Sequence, residues 1–390
     1  MPAGAPESVL IFDDGQAPYV LPVVRAFGRA GWRVGLGSDS EGQAGRSRWV
    51  TARHRVPAPE RGLEAFAEAA LRAAREGGYA VAFGADDVEL LALSSLRETL
   101  PCAVPYAPHE SVLRSVDKLA LAHAAARVGL AGPATVAATA ATVAATNLPV
   151  IVKSRLHWTP GSTADVRHLL VRVCRDRAEV AGRVAEIAAC GGEAILQQHI
   201  DGQLIAVSAV VDAEGRVVAW SQQQTLRSSL RRTSARAETV PLDPVLTGRV
   251  ADLLTDLGWF GLANLQFLRP PGGQPHLIDF NGRIYGSIAL AIAAGANLPV
   301  LWAQLALGQR PTEPIVARPG VRFQELESDL RRARVERRAG ILDDVLDTVA
   351  YAPRAAHGCL SVTDPWPAAY RLGQLFQGAV NGRFGRSRPR

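Results

Sequence analysis

Residues 8–12 (Ser-Val-Leu-Ile-Phe) are a short apolar run that ends in Asp13-Asp14-Gly15. A helical pattern over residues 18–29, Gly31 and a second apolar run over residues 32–36 follow. Strand, turn, helix and strand in that order imply a parallel sheet, because a helix must carry the chain back across the strands. The pattern continues with a helix over 63–75, a strand over 79–83, a turn over 84–87 and a helix to about residue 100. The chain is therefore expected to be α/β, with a Rossmann-like first domain. The turn after the first strand reads Asp-Asp-Gly-Gln-Ala-Pro and carries no G-x-G-x-x-G, which disfavours a dinucleotide site and a nicotinamide oxidoreductase.

At 390 residues the chain is too long for one simple core and is expected to divide into several domains. Hydrophobic residues make up 48% and charged residues 21%, the balance of a globular chain rather than a disordered one. The four cysteines, Cys102, Cys174, Cys190 and Cys359, are scattered without a Cys-x-x-Cys pair. That spacing argues against a zinc ribbon or disulfide scaffold and fits a reducing cytosol. The first ten residues have neither a basic nor an apolar signal-peptide region, so a cytoplasmic location is expected. Residues 288–307 are the most membrane-like stretch, but Gly295, Asn297, Pro299 and Gln304 break them, predicting two buried helices and a turn. A net charge of +6 is a small excess for this length, and no aromatic residues interleave the basic ones, so nucleic acid is not an expected partner.

Lysine and arginine together number 43, yet only Lys118 and Lys153 are lysines. Where arginine has replaced lysine almost everywhere, a surviving ammonium marks a place that needs a compact point charge rather than a planar fork. Contact with a single phosphate oxygen is such a place. Lys118 falls in a helix predicted over 111–129, and Lys153 ends a clean strand over 148–153.

Further along, the Ala/Thr-rich residues 134–146 read as a strand and short helix, or else a loose surface connection, and residues 157–163 as a loop of small residues. A strand (167–174), a helix (177–189) and a strand (194–199) follow, then an antiparallel pair (204–211 and 216–221) and a helix over 244–257. Arg227, Arg231, Arg232 and Arg236 form an acid-free basic cluster, suited either to an anionic substrate or to a solvated loop. Beyond residue 311 the pattern is less regular, and the last ten residues read as a basic disordered tail. No Ser/His/Asp or Cys/His order is legible, so no covalent nucleophile is proposed. Asp13, Asp14, Asp86 and Asp87 follow first-domain strands, where α/β proteins bind ligands; they could orient an amine or simply cap turns.

Residues 261–283 are the most informative. Two apolar strands flank Pro270-Pro271-Gly272-Gly273, a hairpin signal. Strand alternation puts Asp279 and Asn281 on one face, and Gln266 joins them if the register cooperates. All three offer oxygen, the donor that Mg²⁺ takes together with water and substrate phosphates. Arg283 would add a cation suited to a phosphoryl group. The other reading is the polar face of an amphipathic hairpin.

The order of these parts resembles the ATP-grasp superfamily, over roughly residues 8–310. That family has one lysine on a helix after its first domain, here Ser115-Val116-Asp117-Lys118, and another ending a strand, here Lys153. A hinge meeting adenine follows, here Leu196-Gln197-Gln198-His199-Ile200-Asp201-Gly202, and then a metal hairpin with N-x-R, here Gln266, Asp279, Asn281 and Arg283. The chain departs from the pattern in several places. Gln266 stands where Glu is frequent, Asp279 is a methylene shorter than the usual Glu, and Gln197-Gln198 replace an acidic hinge. The expected acidic ribose contact falls at Gln203-Leu204. Arg322-Phe323-Gln324, Leu326, Asp329-Leu330 and Asp364-Pro365 are similar to a group of predicted bacterial ATP-grasp carboligases.

The resemblance implies a first domain over 1–112, a lid over 113–200, a metal-bearing subdomain over 201–310 and an extension over 311–390 of no derivable role. It implies ATP with Mg²⁺ (or Mn²⁺), and ADP-forming ligation of a carboxylate to an amine on an amino acid or small peptide, through an acyl phosphate. Lys118 and Lys153 would hold phosphates. Gln197, Gln198, His199, Ile200 and Gln203 would meet the nucleoside, and Gln266, Asp279 and Asn281 the metal. Arg283, Arg227 and Lys153 would act in catalysis, with the 157–163 loop closing over the phosphates. The expected partners are a small carboxylic acid, an amine and a second copy in a homodimer. Activation of bicarbonate or a small acid, favoured by Gln266, and non-catalytic nucleotide binding are the alternatives.

Overall fold

The computed structural model describes residues 7–158, 169, 171–229, 234–336 and 340–380. Its first sheet is parallel, in the order β3-β2-β1-β4: β1 (Ser8–Phe12), β2 (Arg33–Ser38), β3 (Val50–Arg55) and β4 (Val81–Gly84). Helices α1 (Val20–Arg29), α2 (Leu63–Gly77) and α3 (Asp87–Ser95) connect it. The strand β3 was not expected from the sequence; its Thr-Ala-Arg-His-Arg alternation leaves only Val50 fully buried. β1 is buried at every position, as a strand covered on both faces must be.

One helix was expected over 111–129, but the chain forms two, α4 (His109–Val116) and α5 (Lys118–Arg127). The break is Asp117. Its carboxylate accepts from the backbone N–H of Leu119 (2.9 Å) and Ala120 (3.3 Å), the geometry of an N-cap. Lys118 is therefore the first residue of α5 rather than a mid-helix residue.

The second sheet is antiparallel, in the order β5-β8-β6-β7: β5 (Thr135–Ala137), β6 (Val150–Ser154), β7 (Arg172–Cys174) and β8 (Ala194–Gln198). Helices α6 (Ala140–Ala145) and α7 (Arg177–Ala189) complete it. Val150, Val152, Cys174 and Leu196 pack against Val180 and Ile187 of α7 in a cluster of their own. Alternation then points Lys153 and Gln197 away from α7. The expected loop residues 159–163, and residues 167, 168 and 170 of the strand expected over 167–174, lie outside the described residues.

The third sheet runs β13-β12-β9-β10-β11-β15-β16, with β14 beside β10. It contains β9 (Gln203–Val211), β10 (Val217–Ser228), β11 (Ser234–Thr239), β12 (Gly261–Arg269), β13 (His276–Asn281), β14 (Ile315–Val316), β15 (Arg322–Gln324) and β16 (Ala356–His357). Helix α8 (Pro244–Asp256) leads into β12. The stretch that looked membrane-like forms the two helices expected, α9 (Ile288–Ala293) and α10 (Leu298–Ala306). Among the described residues, no helix is long and apolar enough to cross a membrane.

The first and third sheets share one continuous hydrophobic core from Val9 to Ala317. Trp302 joins them: its ring lies 4.3 Å from that of Phe83, and its indole N–H donates to the Pro105 carbonyl at 2.7 Å. Gly261 (φ +95°) passes so close that a Cβ would sit 2.6 Å from the indole nitrogen.

Residues beyond 311 are not an irregular appendage. They complete the third sheet and add α11 (Leu326–Glu336), α12 (Ile341–Tyr351) and α13 (Trp366–Val380). Asp364, fully buried, accepts from Arg25 Nε (2.9 Å), Ser47 Oγ (2.7 Å) and the Arg48 N–H (3.0 Å), tying the late chain to the first domain. The last ten residues, and Arg231 and Arg232 of the basic cluster, lie outside the described residues.

Candidate active site

The hairpin register decides whether the oxygen donors meet. Gln266 pairs with Asp279 and Asn264 with Asn281. Directly opposed residues share a face, so Gln266, Asp279 and Asn281 stand together. The register shifts immediately after this pair, so Ile278 is the extra residue of a bulge. The Ile278 carbonyl accepts from Lys153 Nζ at 3.2 Å. Asn281 is buried, and its Nδ2 has no hydrogen-bond partner. An unpaired buried amide costs free energy unless a ligand completes it.

Lys118 and Lys153 are each only 8% exposed. Burial lowers the Lys118 ammonium pKa, and Asp279, Asp87 and Asp117 work against that shift. Burial and then the Lys118 charge push Lys153 down to about 8, with Asp279 opposing. Two buried like charges held beside one carboxylate are costly alone, and a polyanion between them relieves that cost.

Lys118 Nζ also lies 3.4 Å from His157 Nε2 and 3.4 Å from the Arg155 carbonyl. His157 Nδ1 is 3.3 Å from Asp87, which accepts from Arg283 Nε at 3.0 Å. With Nδ1 donating to that carboxylate, Nε2 is left to accept from the lysine. A polar chain thus runs from Arg283 through Asp87 and His157 to Lys118, joining all three sheets. Burial alone would raise the Asp87 carboxyl, but Arg283 and His157 outweigh it and hold it well below its ordinary range. Arg283 contacts Asp86 as well, at 3.2 Å.

A cavity of about 220 Å³ opens beside Lys118, lined by Leu121, Leu130, Thr135, Gln197 and Ile278 among others. Of the hinge residues, Gln197 lines it and donates to Thr135 Oγ1 at 3.0 Å. Gln198 accepts from the Ala134 N–H at an exposed position, and His199 faces Asp201 at 3.6 Å. Ile200 is half-buried beside them. Gln203 contacts Gln224 and Thr225 and borders a separate groove with Arg269, so it does not join the lysine cavity. Thr135 and Leu130 were not singled out in the sequence, because their stretch carries no motif.

Arg227 is engaged elsewhere. It contacts Asp329 (3.3 Å) and Asp347 (2.9 Å), and the neighbouring Arg236 contacts the same two at 2.6 and 2.8 Å. The acids come from α11 and α12, about a hundred residues away in sequence, so the acid-free appearance of the cluster was local only. Arg227 is thus neutralised rather than free for an acyl phosphate, and Arg236 is neither solvated nor in a loop.

Asp13 is buried with Oδ1 unpartnered. Burial, and then Asp14, push its carboxyl up to about 8. Asp14 is the charged group that acts on it, Glu89 lies close enough to feel both, and Arg283 is turned to Asp86 and Asp87. A folded-state value above the unfolded one means stability is present at low pH and lost as pH rises through about 8. Asp13→Asn should therefore raise the unfolding midpoint relative to the wild type at pH 8 and leave it nearly unchanged at pH 4. Thermal unfolding at the two pH values checks this.

The arrangement of two sheets around paired lysines and an oxygen-donor hairpin is that of the ATP-grasp fold. Within it, residues 192–329 match the family model described as ATP-grasp in the biosynthetic pathway with Ter operon. Among solved structures the chain is similar to biotin carboxylase from Campylobacter jejuni (TM-score 0.63, 15% identity, covering 83% of this chain and 75% of that one). It is similar to N5-carboxyaminoimidazole synthetase from Staphylococcus aureus (TM-score 0.61, 11% identity, 81% and 80%). It also resembles L-amino acid ligase from Bacillus licheniformis (TM-score 0.61, 19% identity, 81% and 78%). No curated protein matches the sequence.

Proposed function

We propose that the chain is an ATP-dependent, ADP-forming carboxylate–amine ligase acting on an amino acid or small peptide. The observation that carries this is the convergence of the molecule's two lysines, both buried, on the carboxylate of Asp279. Lys118 and Lys153 bind phosphates, and Gln197 borders the cavity that takes the nucleoside. The similarity to an L-amino acid ligase fold supports this class of substrate.

Gln266, Asp279 and Asn281 would hold Mg²⁺, which neutralises phosphate charge when bound. They fit it as a partial shell. All are oxygen donors on one face with a single carboxylate, and among the described residues no group of three His, Cys, Asp or Glu could hold a metal unaided. Phosphate oxygens complete such a shell. One end of the unsatisfied Asn281 amide suits a cation and the other a phosphate oxygen.

In the reaction a substrate carboxylate oxygen attacks the γ-phosphorus and the bond to ADP breaks. The amine nitrogen then attacks the acyl carbon, phosphate leaves with the C–O electron pair, and the amine gives up a proton. The protein's part is positioning and charge stabilisation. Arg283, at the junction of the lysine site and the first domain, would face the transferred group, with Asp86 and Asp87 holding its orientation. The test is ADP release with paired acids and amines, omitting each in turn. Turnover should need both, and Asn281→Ala should lower it by about 100-fold. ADP release that ignores the amine, or an unimpaired Asn281→Ala, would sink the assignment.

A further inference from the structure

The parallel sheet of the first domain ends, at β1 and β4, in a concentration of negative charge. These strands are direct neighbours, with Phe12 beside Gly84. Asp13 and Asp14 leave the first strand, and Asp86, Asp87 and Glu89 start the helix after the second. Asp86 and Glu89 are locked into that helix by a reciprocal capping box. From the nucleotide side Arg283 reaches Asp86 and Asp87, and the neutral imidazole of His157 reaches Asp87. Among the described residues no cationic side chain pairs with Asp13 or Asp14.

Asp13 is the independent pointer to a ligand. It is 7% exposed, its Oδ1 has no partner, and burial and then Asp14 raise its carboxyl, while burial, Asp86, Asp13 and Asp14 raise that of Glu89. A carboxyl buried among carboxylates keeps its proton, and a cation entering beside it restores the ionised form. The cation cannot be a metal held by a dense trio of acids, since no such trio exists among the described residues. A softer, hydrogen-bonding cation fits: an ammonium donates to several carboxylate oxygens without a fixed coordination shell. The cluster's opposite flank is Arg283, which suits a carboxylate or phosphoryl group.

We infer that this end of the first sheet is the subsite for the ammonium group of the amine substrate, with Asp13 as its buried counter-charge and Asp14 at the rim. The inference rests on the ligase reading above and adds to it the residues that choose the amine. It makes the molecule select free amino groups and reject N-acylated ones, because an amide N–H carries no charge to offset the acids.

The test uses the full chain, a non-hydrolysable ATP analogue with Mg²⁺, and a panel of free L-amino acids beside their N-acetyl derivatives, read by thermal shift. At least one free amino acid should raise the unfolding midpoint of the nucleotide complex, and its N-acetyl form should not. Asp13→Asn should weaken that binding by about 10- to 100-fold while nucleotide binding stays unchanged. Should that variant fail to fold, Asp14→Asn, at the rim, carries the same expectation. Equal binding of N-acetyl compounds, no shift by any free amino acid, or undiminished binding in both variants would overturn the inference. Failure of the nucleotide analogue itself to bind the wild type would instead remove the ligase reading beneath it.

Discussion

Lys153→Ala should lower ADP formation by two to three orders of magnitude, about the cost of removing one preorganised charge from a transition-state site. The fold should survive. Among the described residues the lysine makes one hydrogen bond, to the Ile278 carbonyl, and losing it costs about 1–3 kcal/mol. Part of that is returned, because Lys118 then no longer faces a second buried ammonium. Lys153→Arg should not rescue: the guanidinium is broader, and the site beside Ile278 and Asp279 is closed around a point charge. ADP release and calorimetric nucleotide affinity for Lys153→Ala, Lys153→Arg and Lys118→Ala check this. Wild-type rates in all three would refute the placement of the nucleotide.

Asp329→Ala should cost about 3–5 kcal/mol of stability, the price of leaving a buried charge partner uncompensated. Asp329 is fully buried and accepts from Arg236 Nε at 2.6 Å and Gln324 Nε2 at 2.8 Å, with Arg227 at 3.3 Å and Arg332 at 3.6 Å. Burial pushes its carboxyl up, but Gln324, Arg236 and Arg227 outweigh that and hold it below the ordinary range. A depressed folded-state value stabilises at neutral pH and loses that contribution as pH falls into the acid range. Asp347 serves the same two arginines, Arg227 and Arg236, but is half exposed, so Asp347→Ala should cost about 1 kcal/mol or less. Denaturant unfolding of the two variants separates them. Equal losses would mean that α11 does not depend on its buried acid.

The contrast between Lys118 and Arg227 shows what could be read from the chain and why. Lys118 was marked by its rarity, which is a compositional fact needing no coordinates. Its exact setting was not legible, because a helical pattern over 111–129 hides a cap when Asp117 sits in phase with it. The hairpin alternation foretold that Gln266, Asp279 and Asn281 share a face, since period two is a local property. The Ile278 bulge left no local mark, yet it presents the carbonyl that holds Lys153. Arg227 misled because its partners, Asp329 and Asp347, arrive from helices in a stretch whose pattern looked irregular. The same distance concealed the Asp364–Arg25 tie, though Asp364-Pro365 was noticed as a motif. Asp87 was read as one of four turn acids; that it also bridges Arg283 and His157 depends on three sheets meeting.

The second sheet keeps its apolar cluster to itself, and the side it turns to the rest of the molecule is fastened by polar contacts: Lys153 to Ile278, Arg155 to Asp117 and His157 to Asp87. Swinging that layer outward would exchange those hydrogen bonds for water as well as uncover Ile151, Ile195 and Trp158. The charged contacts make its opening sensitive to electrolyte. Added salt should loosen the latch, and a polyanion held by Lys118 and Lys153 should tighten it, so that the occupant of the cleft would hold its own door shut.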